Sequence, residues 1–293
     1  MSEAPPRQTH WVRELLDFVK FQHTLFALPF ILASMLVATA GRPTWWQLGW
    51  ILAAAVGART SAMAFNRIVD RELDELNVRT RDRALPARRL SLAVAYAVTL
   101  APAVLFVIAA GMLNPLCFTL SFPALAVLWG YSYSKRFTAW SHLWLGLALA
   151  IGPVGAWLAV RGAFALAPMI MAAGVICWVA GFDIIYAAQD LDFDQLVGLK
   201  SAVVRFGLRR SLVLATGLHG GFLLALGAFG AVAGTHWIYA LGLAVAAALV
   251  IWEHALISTR GLTRVNQAFF VLNATASVVM LIATAADVWL LGG

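Results

Sequence analysis

Nine stretches of mostly apolar residues, each long enough to cross a bilayer, follow one another along the 293-residue chain. A bilayer core requires about 20 such residues for each helix that spans it. The chain is 62% hydrophobic and 12% charged, whereas a soluble globular chain is about 45–50% apolar and about 25% charged. The stretches are 23–41, 46–66, 91–111, 114–132, 140–160, 164–187, 211–233, 237–257 and 267–291. The sequence therefore predicts an all-α fold, a polytopic membrane bundle of about nine transmembrane helices, with 1–22 as a cytoplasmic N-terminal segment and 23–293 as a single transmembrane domain.

The basic residues are distributed unevenly among the predicted loops. Eighteen of the 21 fall on one side of the membrane, and loops rich in lysine and arginine stay in the cytoplasm. They are Arg7, Arg13, Lys20, Arg67, Arg71, Arg79, Arg81, Arg83, Arg88, Arg89, Lys135, Arg136, Lys200, Arg205, Arg209, Arg210, Arg260 and Arg264. This asymmetry predicts a multi-pass protein of the cell inner membrane with its N-terminus in the cytoplasm and its C-terminus outside. The net charge of +7 then reflects topology, so we expect a lipid bilayer and no nucleic acid as partner.

A first group of oxygen-bearing side chains follows the second apolar stretch. Asn66, Asp70 and Asp74 are spaced four residues apart, which places them on one face of a helix, about one turn from each other. Like charges at this spacing repel, so the arrangement is favourable when a cation lies between them. Oxygen ligands without histidine or cysteine nearby favour Mg²⁺. We therefore predict that these three residues bind Mg²⁺.

The same spacing recurs after the sixth apolar stretch, in Asp190 and Asp194. Asp192 points away from this face if the helix continues, so it is not predicted to be a ligand. Because the two groups end helices four apart, we predict two related four-helix halves with the ninth helix extra. The groups would then face each other and hold two Mg²⁺ ions and a diphosphate. The alternative is two solvated helix ends whose aspartates pair with nearby arginines.

Basic residues close to these motifs are candidates for binding the diphosphate. They are Arg79, Lys135, Arg136 and Lys200. Arginine offers a planar fork for phosphate, and lysine offers a point charge. Taken singly, each is more typical of a positively charged loop, but as a group around the aspartates they fit a diphosphate site.

Two ionisable residues are predicted to lie deeper in the membrane. Arg59 precedes Asn66 by seven residues, and Asp183 precedes Asp190 by seven, which corresponds to about 10 Å along a helix. An intramembrane charge is by default a functional candidate. Two interpretations stay open: Arg59 and Asp183 form a structural ion pair, or they handle a polar acceptor below the diphosphate. Histidines show no paired ligand spacing, so we expect packing roles for residues such as His219 and His254.

The order of these motifs resembles the UbiA superfamily of intramembrane prenyltransferases. The motifs are Asn66-x3-Asp70-x3-Asp74, Asn77-x-Arg79-Thr80-x-x-Arg83, Tyr131-Ser-Tyr133-Ser-Lys135-Arg136-x-Thr138, Asp183-x-x-Tyr186-x3-Asp190-x3-Asp194 and Gly198-Leu-Lys200-Ser201. Within the superfamily, the stretches 23–30 and 64–67 are more similar to 4-hydroxybenzoate polyprenyltransferase and its relatives in the futalosine route to menaquinone. Arg67 stands where many members have a further aspartate, so that aspartate's role is not transferred.

The resemblance implies Mg²⁺-dependent transfer of a polyprenyl group from polyprenyl diphosphate to an aromatic acid of the 4-hydroxybenzoate or dihydroxynaphthoate type, in ubiquinone or menaquinone biosynthesis. It implies a catalytic group of Asp183, Tyr186 and Arg59. We expect Asp183 to orient or deprotonate the ring hydroxyl, and Arg59 or Arg136 to bind the ring carboxylate. Two alternatives are a haem or chlorin prenyltransferase of the same superfamily and a secondary transporter. A transporter would place its charges near the membrane midplane, whereas these acidic motifs lie at helix ends.

Overall fold

The computed structural model describes residues 14–19, 24–260 and 265–292, and over that part of the chain it is all-helical. In chain order the helices are α1 (Thr24–Ala38), α2 (Trp45–Val69), α3 (Arg71–Leu76), α4 (Leu92–Leu113), α5 (Pro115–Phe137), α6 (Ser141–Arg161), α7 (Leu166–Ala187), α8 (Leu191–Leu196), α9 (Ala202–Phe206), α10 (Leu208–Ala233), α11 (Trp237–Arg260) and α12 (Val265–Leu290). Most of the predicted segment 1–22, including Arg7, Arg13 and Lys20, lies outside the described residues, as does Arg264.

The nine predicted apolar stretches coincide with the nine long helices of the described residues. Eight of these helices are long and apolar enough to cross a membrane, and the apolar part of α1, Ala27–Ala38, is shorter. The prediction of an all-α polytopic bundle is therefore confirmed. The observed helices also extend beyond several predicted stretches, since α2 reaches Val69 and α5 reaches Phe137.

Local signals determine where the helices that carry the site begin and end. At the start of α2, the Thr44 side chain accepts a hydrogen bond from the Gln47 N–H (3.1 Å), and the Gln47 side chain accepts one from the Thr44 N–H (3.0 Å). This capping box satisfies N–H groups that have no partner within the helix. Asn114 caps α5, with Pro115 at its first position, where proline is well tolerated. Gly162, at a φ of 65°, ends α6 in the left-handed conformation that glycine adopts readily.

Helix α7 lies at the centre of the main core and carries the second acidic motif at its end. Trp178 is fully buried and stacks on Phe222 of α10, with ring centroids 5.6 Å apart. On the other side, α7 approaches α6 so closely that a Cβ on Gly146 would lie 2.6 Å from the Ile176 carbonyl oxygen. Large aromatic side chains bury much apolar area, and close backbone contact adds rigidity. The position of the second acidic motif is therefore determined by the most tightly packed helix.

Both acidic motifs lie across a change of helical geometry and not on straight helices. Asp70, with φ −89° and ψ 3°, separates α2 from α3, and a 3₁₀ turn over Ala188–Asp190 separates α7 from α8. The Asp70 N–H still donates to the Asn66 carbonyl (2.9 Å), and the Asp74 N–H donates to the Asp70 carbonyl (2.7 Å). The four-residue register therefore continues through the bend at Asp70.

Candidate functional site

The two acidic groups meet at one end of the bundle, which we call the polar end. It comprises the last turns of α2, α5 and α7 together with the segments 70–91 and 188–207. Arg79 donates to both carboxylate oxygens of Asp190, with 2.8 Å between Arg79 Nε and Asp190 Oδ1, and Asn77 Nδ2 lies 3.4 Å from the same oxygen. Residues 111 positions apart in the chain are thus in direct contact.

In the first acidic group, Asp70 and Asp74 have different partners. Asn66 Nδ2 donates to Asp70 Oδ2 (2.9 Å), and Arg136 Nη2 lies 3.8 Å from Asp70 Oδ1. Both carboxylate oxygens of Asp74 accept hydrogen bonds from Arg83 Nη1, at 2.6 and 2.7 Å. Burial and the neighbouring charge of Asp74 raise the pKa of Asp70 above its ordinary value. Asp74 is therefore neutralised by a close arginine, whereas Asp70 is only loosely paired.

The second acidic group shows the same division between a paired and an unpaired carboxylate. Asp190 is held by Arg79, as described above. Asp194 is 3% exposed, and its Oδ2 accepts no hydrogen bond from any described residue. A buried acceptor without a donor costs free energy, so this oxygen is suited to a cation. Asp192 is exposed, as expected for a residue on the other face.

The donor set at the polar end fits a hard divalent cation. Asp70 and Asp194 supply carboxylate oxygens with unused acceptor capacity, and Mg²⁺ takes oxygen ligands while keeping several waters. Asp74 and Asp190 instead form ion pairs with Arg83 and Arg79. These two aspartates are paired with arginines in the structure, and their role as metal ligands stays a prediction.

Lys135 acts on carboxylates of both acidic groups. Its ammonium interacts electrostatically with Asp70, Asp183 and Asp194, which come from three different segments of the chain. The backbone around it is hydrogen-bonded to the segment after α8, since the Lys200 N–H donates to the Lys135 carbonyl (2.7 Å). Lys135 is therefore well placed for a diphosphate held by both groups.

The other predicted basic residues surround this centre. Arg136 Nη2 donates to the Val69 carbonyl at the end of α2 (2.7 Å), and Lys200 Nζ lies 3.5 Å from the Phe137 carbonyl. Arg79, on Asp190, closes the opposite side. All four predicted basic residues thus lie at the polar end, and Arg79, Lys135 and Arg136 interact with its aspartates.

Asp183 pairs with His142, a residue that the sequence did not single out. His142 Nδ1 lies 2.6 Å from Asp183 Oδ2, and the Ala202 N–H donates to His142 Nε2 (3.2 Å). Because Nε2 accepts a hydrogen bond, the ring proton is on Nδ1, and Nδ1 donates a hydrogen bond to Asp183. No salt bridge joins Asp183 to Arg59 within the described residues, so the interpretation as a structural Arg59–Asp183 pair is wrong. Tyr186 lies one turn further along α7 and interacts electrostatically with Arg79.

A cavity of about 630 Å³ extends from the polar end into the bundle between α2, α5 and α6. Its wall on α2 runs from Ile51 to Asn66, a rise of roughly 22 Å along the helix. The lining is mostly apolar, and Arg59 is the one charged side chain among its described residues. The cavity is therefore shaped and lined for an elongated apolar molecule with a polar group near Arg59.

Arg59 lacks a compensating partner. Its buried Nε atom donates to no acceptor among the described residues, and its neighbour Tyr131 interacts electrostatically with Arg59, Asp70 and Asp183. A buried cation without a counter-charge is costly. Arg59 therefore presents an unsatisfied positive charge to an apolar cavity, and it needs an anionic ligand.

Sequence reasoning missed the roles of His142 and Tyr131 at this site. His142 is 41 residues from Asp183, so no local spacing connects the two. Tyr131 is the first residue of the motif that contains Lys135. Residues four apart lie on one face of a helix, and this spacing between Tyr131 and Lys135 was the signal that could have placed Tyr131 at the site.

The fold and the site define a polytopic membrane protein with carboxylates and cations at one end of an apolar chamber. Residues 27–276 match the UbiA prenyltransferase family. The chain is 31% identical to the 4-hydroxybenzoate octaprenyltransferase of Methylobacillus flagellatus, over 76% of this chain and 75% of the relative. It is 32% identical to the enzyme of that name from Cupriavidus necator, over 78% of this chain and 81% of the relative.

Solved structures give the same result. The apo structure of a UbiA homologue from Aeropyrum pernix K1 superposes with a TM-score of 0.83 at 31% identity, covering 91% of this chain and 98% of that one. A UbiA homologue from Archaeoglobus fulgidus bound to DMAPP and Mg²⁺ shares the fold, with a TM-score of 0.75 at 19% identity, covering 95% of this chain and 100% of that one. The chain belongs to the UbiA prenyltransferase family. It is a multi-pass membrane prenyltransferase and not a secondary transporter.

Proposed function

We propose that this protein transfers a polyprenyl group from polyprenyl diphosphate to an aromatic acid of the 4-hydroxybenzoate or dihydroxynaphthoate type, with Mg²⁺ as cofactor. The observation that carries the proposal is the uncompensated charge of Arg59 in an apolar cavity beneath the acidic groups. A prenyl chain matches the lining, and the acceptor carboxylate supplies the counter-charge that Arg59 lacks. The names of the relatives, which specify 4-hydroxybenzoate, support the same acceptor class and a place in ubiquinone synthesis.

The diphosphate is assigned to the polar end. The predicted metal ligands are Asn66, Asp70, Asp74, Asp190 and Asp194. Bound Mg²⁺ would neutralise charge on the departing diphosphate. Lys135, Arg79, Arg136 and Lys200 supply further cationic groups there, which stabilise the same charge without a metal. The A. fulgidus homologue, which shares this fold, is bound to DMAPP and Mg²⁺ and supports a prenyl diphosphate and Mg²⁺ as the ligands.

The acceptor ring is assigned to the part of the cavity beside Arg59 and Tyr131, because Tyr131 interacts electrostatically with both Arg59 and Asp183. His142 donates to Asp183 Oδ2, which leaves Oδ1 to accept the ring hydroxyl proton and makes the ring more electron-rich. As the C–O bond to diphosphate breaks, the allylic carbon acquires cation character and bonds to the ring carbon ortho to the hydroxyl. The proton of that ring carbon then moves to the phenolate oxygen, which restores aromaticity, and the apolar cavity excludes the water that would trap the cation. Tyr186, which interacts electrostatically with Arg79, is the remaining member of the proposed catalytic group.

A substrate panel tests the proposed function. Purified protein in lipid nanodiscs is given octaprenyl diphosphate and Mg²⁺ with 4-hydroxybenzoate, a dihydroxynaphthoate or haem, and the products are identified by mass spectrometry. We expect prenylated aromatic acid, lost on adding EDTA and restored by Mg²⁺. Benzoate that lacks the hydroxyl is the matched negative acceptor. Prenylation of haem alone, or EDTA-resistant transfer, would show the proposal to be wrong.

We also propose that the protein lies in the cell inner membrane with its polar end on the cytoplasmic side, and that 23–293 forms one domain. The support is the concentration of basic residues at this end. The test uses a variant in which Cys117 and Cys177 are replaced by alanine. In this variant we expect Arg42→Cys to react with an impermeant maleimide in spheroplasts, whereas Leu196→Cys, at an exposed position, should react only after permeabilisation. The reverse pattern would contradict this orientation.

Prenyl chain length is expected to depend on the free space around Gly155. This residue lines the cavity, and a Cβ added there meets no atom within 4 Å. Gly155→Leu should therefore fold normally while occupying space needed by the distal isoprene units. We expect kcat/KM to fall about tenfold or more with octaprenyl diphosphate, corresponding to about 1.4 kcal/mol of lost binding, and to change little with geranyl diphosphate.

The matched control is Gly217→Leu, because Gly217 also has no atom within 4 Å of an added Cβ but lies outside the cavity lining. This variant should treat both diphosphates as the wild type does. Equal loss with long and short substrates in Gly155→Leu would contradict the assignment of the prenyl chain to this cavity.

A further inference from the structure

Three side chains of types that commonly bind metals lie close together. They lie against the side of α7 that faces away from the cavity. They are His219 of α10 and Glu253 and His254 of α11, and we call them the His–Glu–His cluster. One ligand atom from each lies within 4.8 Å of the others. His219 is 0% and Glu253 2% exposed. The sequence indicated packing roles for both histidines, but the structure joins their rings through His219 Nδ1 and His254 Nε2, 2.8 Å apart.

Each of the three side chains is held by a second partner on the atom that faces away from the cluster. His219 Nε2 lies 3.2 Å from the Trp178 carbonyl, and Glu253 Oε2 accepts from Asn273 Nδ2 at 2.8 Å. His254 Nδ1 lies 3.2 Å from the Thr216 hydroxyl. Metal-binding histidines and carboxylates are characteristically fixed by such outer hydrogen bonds.

These outer bonds leave acceptor atoms directed inward. A carbonyl only accepts, so His219 Nε2 donates to Trp178 and Nδ1 keeps a lone pair. The Thr216 hydroxyl donates to the Leu212 carbonyl (3.0 Å) and can therefore accept from His254 Nδ1 whenever His254 Nε2 serves as a metal ligand.

Glu253 completes a set of three acceptors. Its Oε1 is buried and accepts no hydrogen bond from any described residue, although it lies 3.7 Å from His219 Nδ1. Without a metal, one proton lies in the 2.8 Å hydrogen bond between His219 Nδ1 and His254 Nε2, and Glu253 Oε1 stays without a donor among the described residues. A cation that replaces this proton would be bound by both imidazole lone pairs and would satisfy the unpaired oxygen.

We propose that His219, Glu253 and His254 form a second metal site, which binds Zn²⁺ and is separate from the Mg²⁺ ligands of the polar end. Two imidazole nitrogens and one carboxylate oxygen suit Zn²⁺, whereas Mg²⁺ prefers oxygen ligands alone. Tetrahedral Zn²⁺ with ligand bonds of 2.0–2.1 Å requires about 3.3 Å between neighbouring ligand atoms. Two of the three separations, at 2.8 and 3.7 Å, lie within about 0.5 Å of this value, and the third is no longer than 4.8 Å.

The position of this site indicates what a bound ion does. Its ligands come from α10 and α11, and their outer partners Trp178 and Asn273 belong to α7 and α12. His219 also packs against the α7 backbone, where a Cβ on Gly181 would lie 2.3 Å from His219 Cδ2. Zinc would therefore join α10 to α11, and the outer hydrogen bonds connect this pair to α12 and to α7, the helix that carries Asp183 and leads into Asp190.

Zinc stoichiometry of the purified, full-length protein tests this proposal. The protein in detergent is stripped with chelator, equilibrated with Zn²⁺ in a large excess of Mg²⁺ to occupy the acidic groups, gel-filtered and analysed by mass spectrometry. We expect one Zn²⁺ per chain in the wild type. Glu253→Gln and His254→Gln should each weaken Zn²⁺ binding by about 100-fold or more. His236→Gln, at a histidine beside Asp287 and outside the cluster, should bind zinc as the wild type does.

Gel-filtration profiles distinguish lost binding from lost folding. His254 is only partly buried, so His254→Gln decides the question if Glu253→Gln does not elute as folded protein. Zinc retained by both variants would overturn the proposal, since the metal would then lie elsewhere. A folded wild type that retains no zinc would also overturn it and would assign the cluster to proton sharing. Neither measurement requires prenyl transfer, so the result is independent of the proposed function.

Discussion

Asp70→Asn should reduce Mg²⁺-dependent prenyl transfer by about 100-fold or more, because even indirect partners of a metal site contribute about 10–100-fold. Asp70 is the loosely paired carboxylate of the first acidic group, with Asn66 at 2.9 Å and Arg136 at 3.8 Å. An asparagine keeps the shape but removes the negative charge that attracts a divalent cation. The check is the initial rate across a Mg²⁺ titration, where the variant should show both weaker activation and a lower plateau.

The same substitution should leave the metal-free protein at least as stable as the wild type. Burial and the charge of Asp74 raise the pKa of Asp70, so the folded state disfavours its ionised form relative to the unfolded chain. The stability linked to such a raised pKa is present at low pH and is lost as the pH rises through the pKa of Asp70 in the folded state. At neutral pH a permanently neutral asparagine therefore avoids this loss. Thermal unfolding in EDTA should show an equal or higher midpoint.

Asp192→Asn is the matched control, since it makes the same chemical change on an exposed aspartate that we exclude from the ligands. It should keep wild-type activity. Full Mg²⁺-dependent activity in Asp70→Asn would contradict the mechanism as a whole. An equal loss of activity in both variants would show that general surface charge, and not a metal ligand, is responsible.

Asp183→Asn should lower kcat by about 10²–10⁴-fold, the usual contribution of a positioned base, with little effect on the KM for the diphosphate. His142 donates to Asp183 Oδ2 and so holds the carboxylate in place as an acceptor. An asparagine cannot take the proton of the ring hydroxyl. The deficit should shrink as the pH rises towards about 10, where a phenol ionises without assistance. The pH profile of kcat therefore separates this role from a structural one.

Asp287→Asn is the control for Asp183→Asn, because it makes the same change at another buried aspartate that contacts a histidine. Asp287 is 1% exposed, lies 3.4 Å from His236 Nδ1 and accepts from the Tyr239 N–H, away from the cavity. We expect this variant to lose stability but to keep the wild-type kcat per folded molecule and an unchanged pH profile. Undiminished turnover in Asp183→Asn would show that Asp183 does not act on the acceptor.

Local sequence patterns predicted the helices well because their causes are local. A span must contain enough apolar residues to match the bilayer, and that requirement is visible in each stretch without knowledge of its neighbours. The four-residue spacing of Asn66, Asp70 and Asp74 likewise survives the bend between α2 and α3, because the hydrogen bonds that maintain it connect residues four apart. The bend itself has no comparable local signal in the sequence.

The partners of the buried charges could not be predicted in this way. Arg59 and Asp183 occupied equivalent positions in their motifs, and an ion pair between them was a reasonable interpretation. The structure instead pairs Asp183 with His142 and leaves Arg59 facing the cavity. Which residue pairs with Asp183 depends on how α6 packs against α7, where Gly146 permits close approach of the two helices.

A bundle of membrane helices with two aspartate motifs can be predicted from short stretches of chain, because bilayer thickness and helical periodicity act locally. Which charges are compensated, where the cavity runs, and the meeting of His219 with Glu253 and His254 all depend on how the helices pack. These contacts join residues 34 or more positions apart on different helices. They depend on the rotation and depth of each helix, which packing of the whole bundle sets.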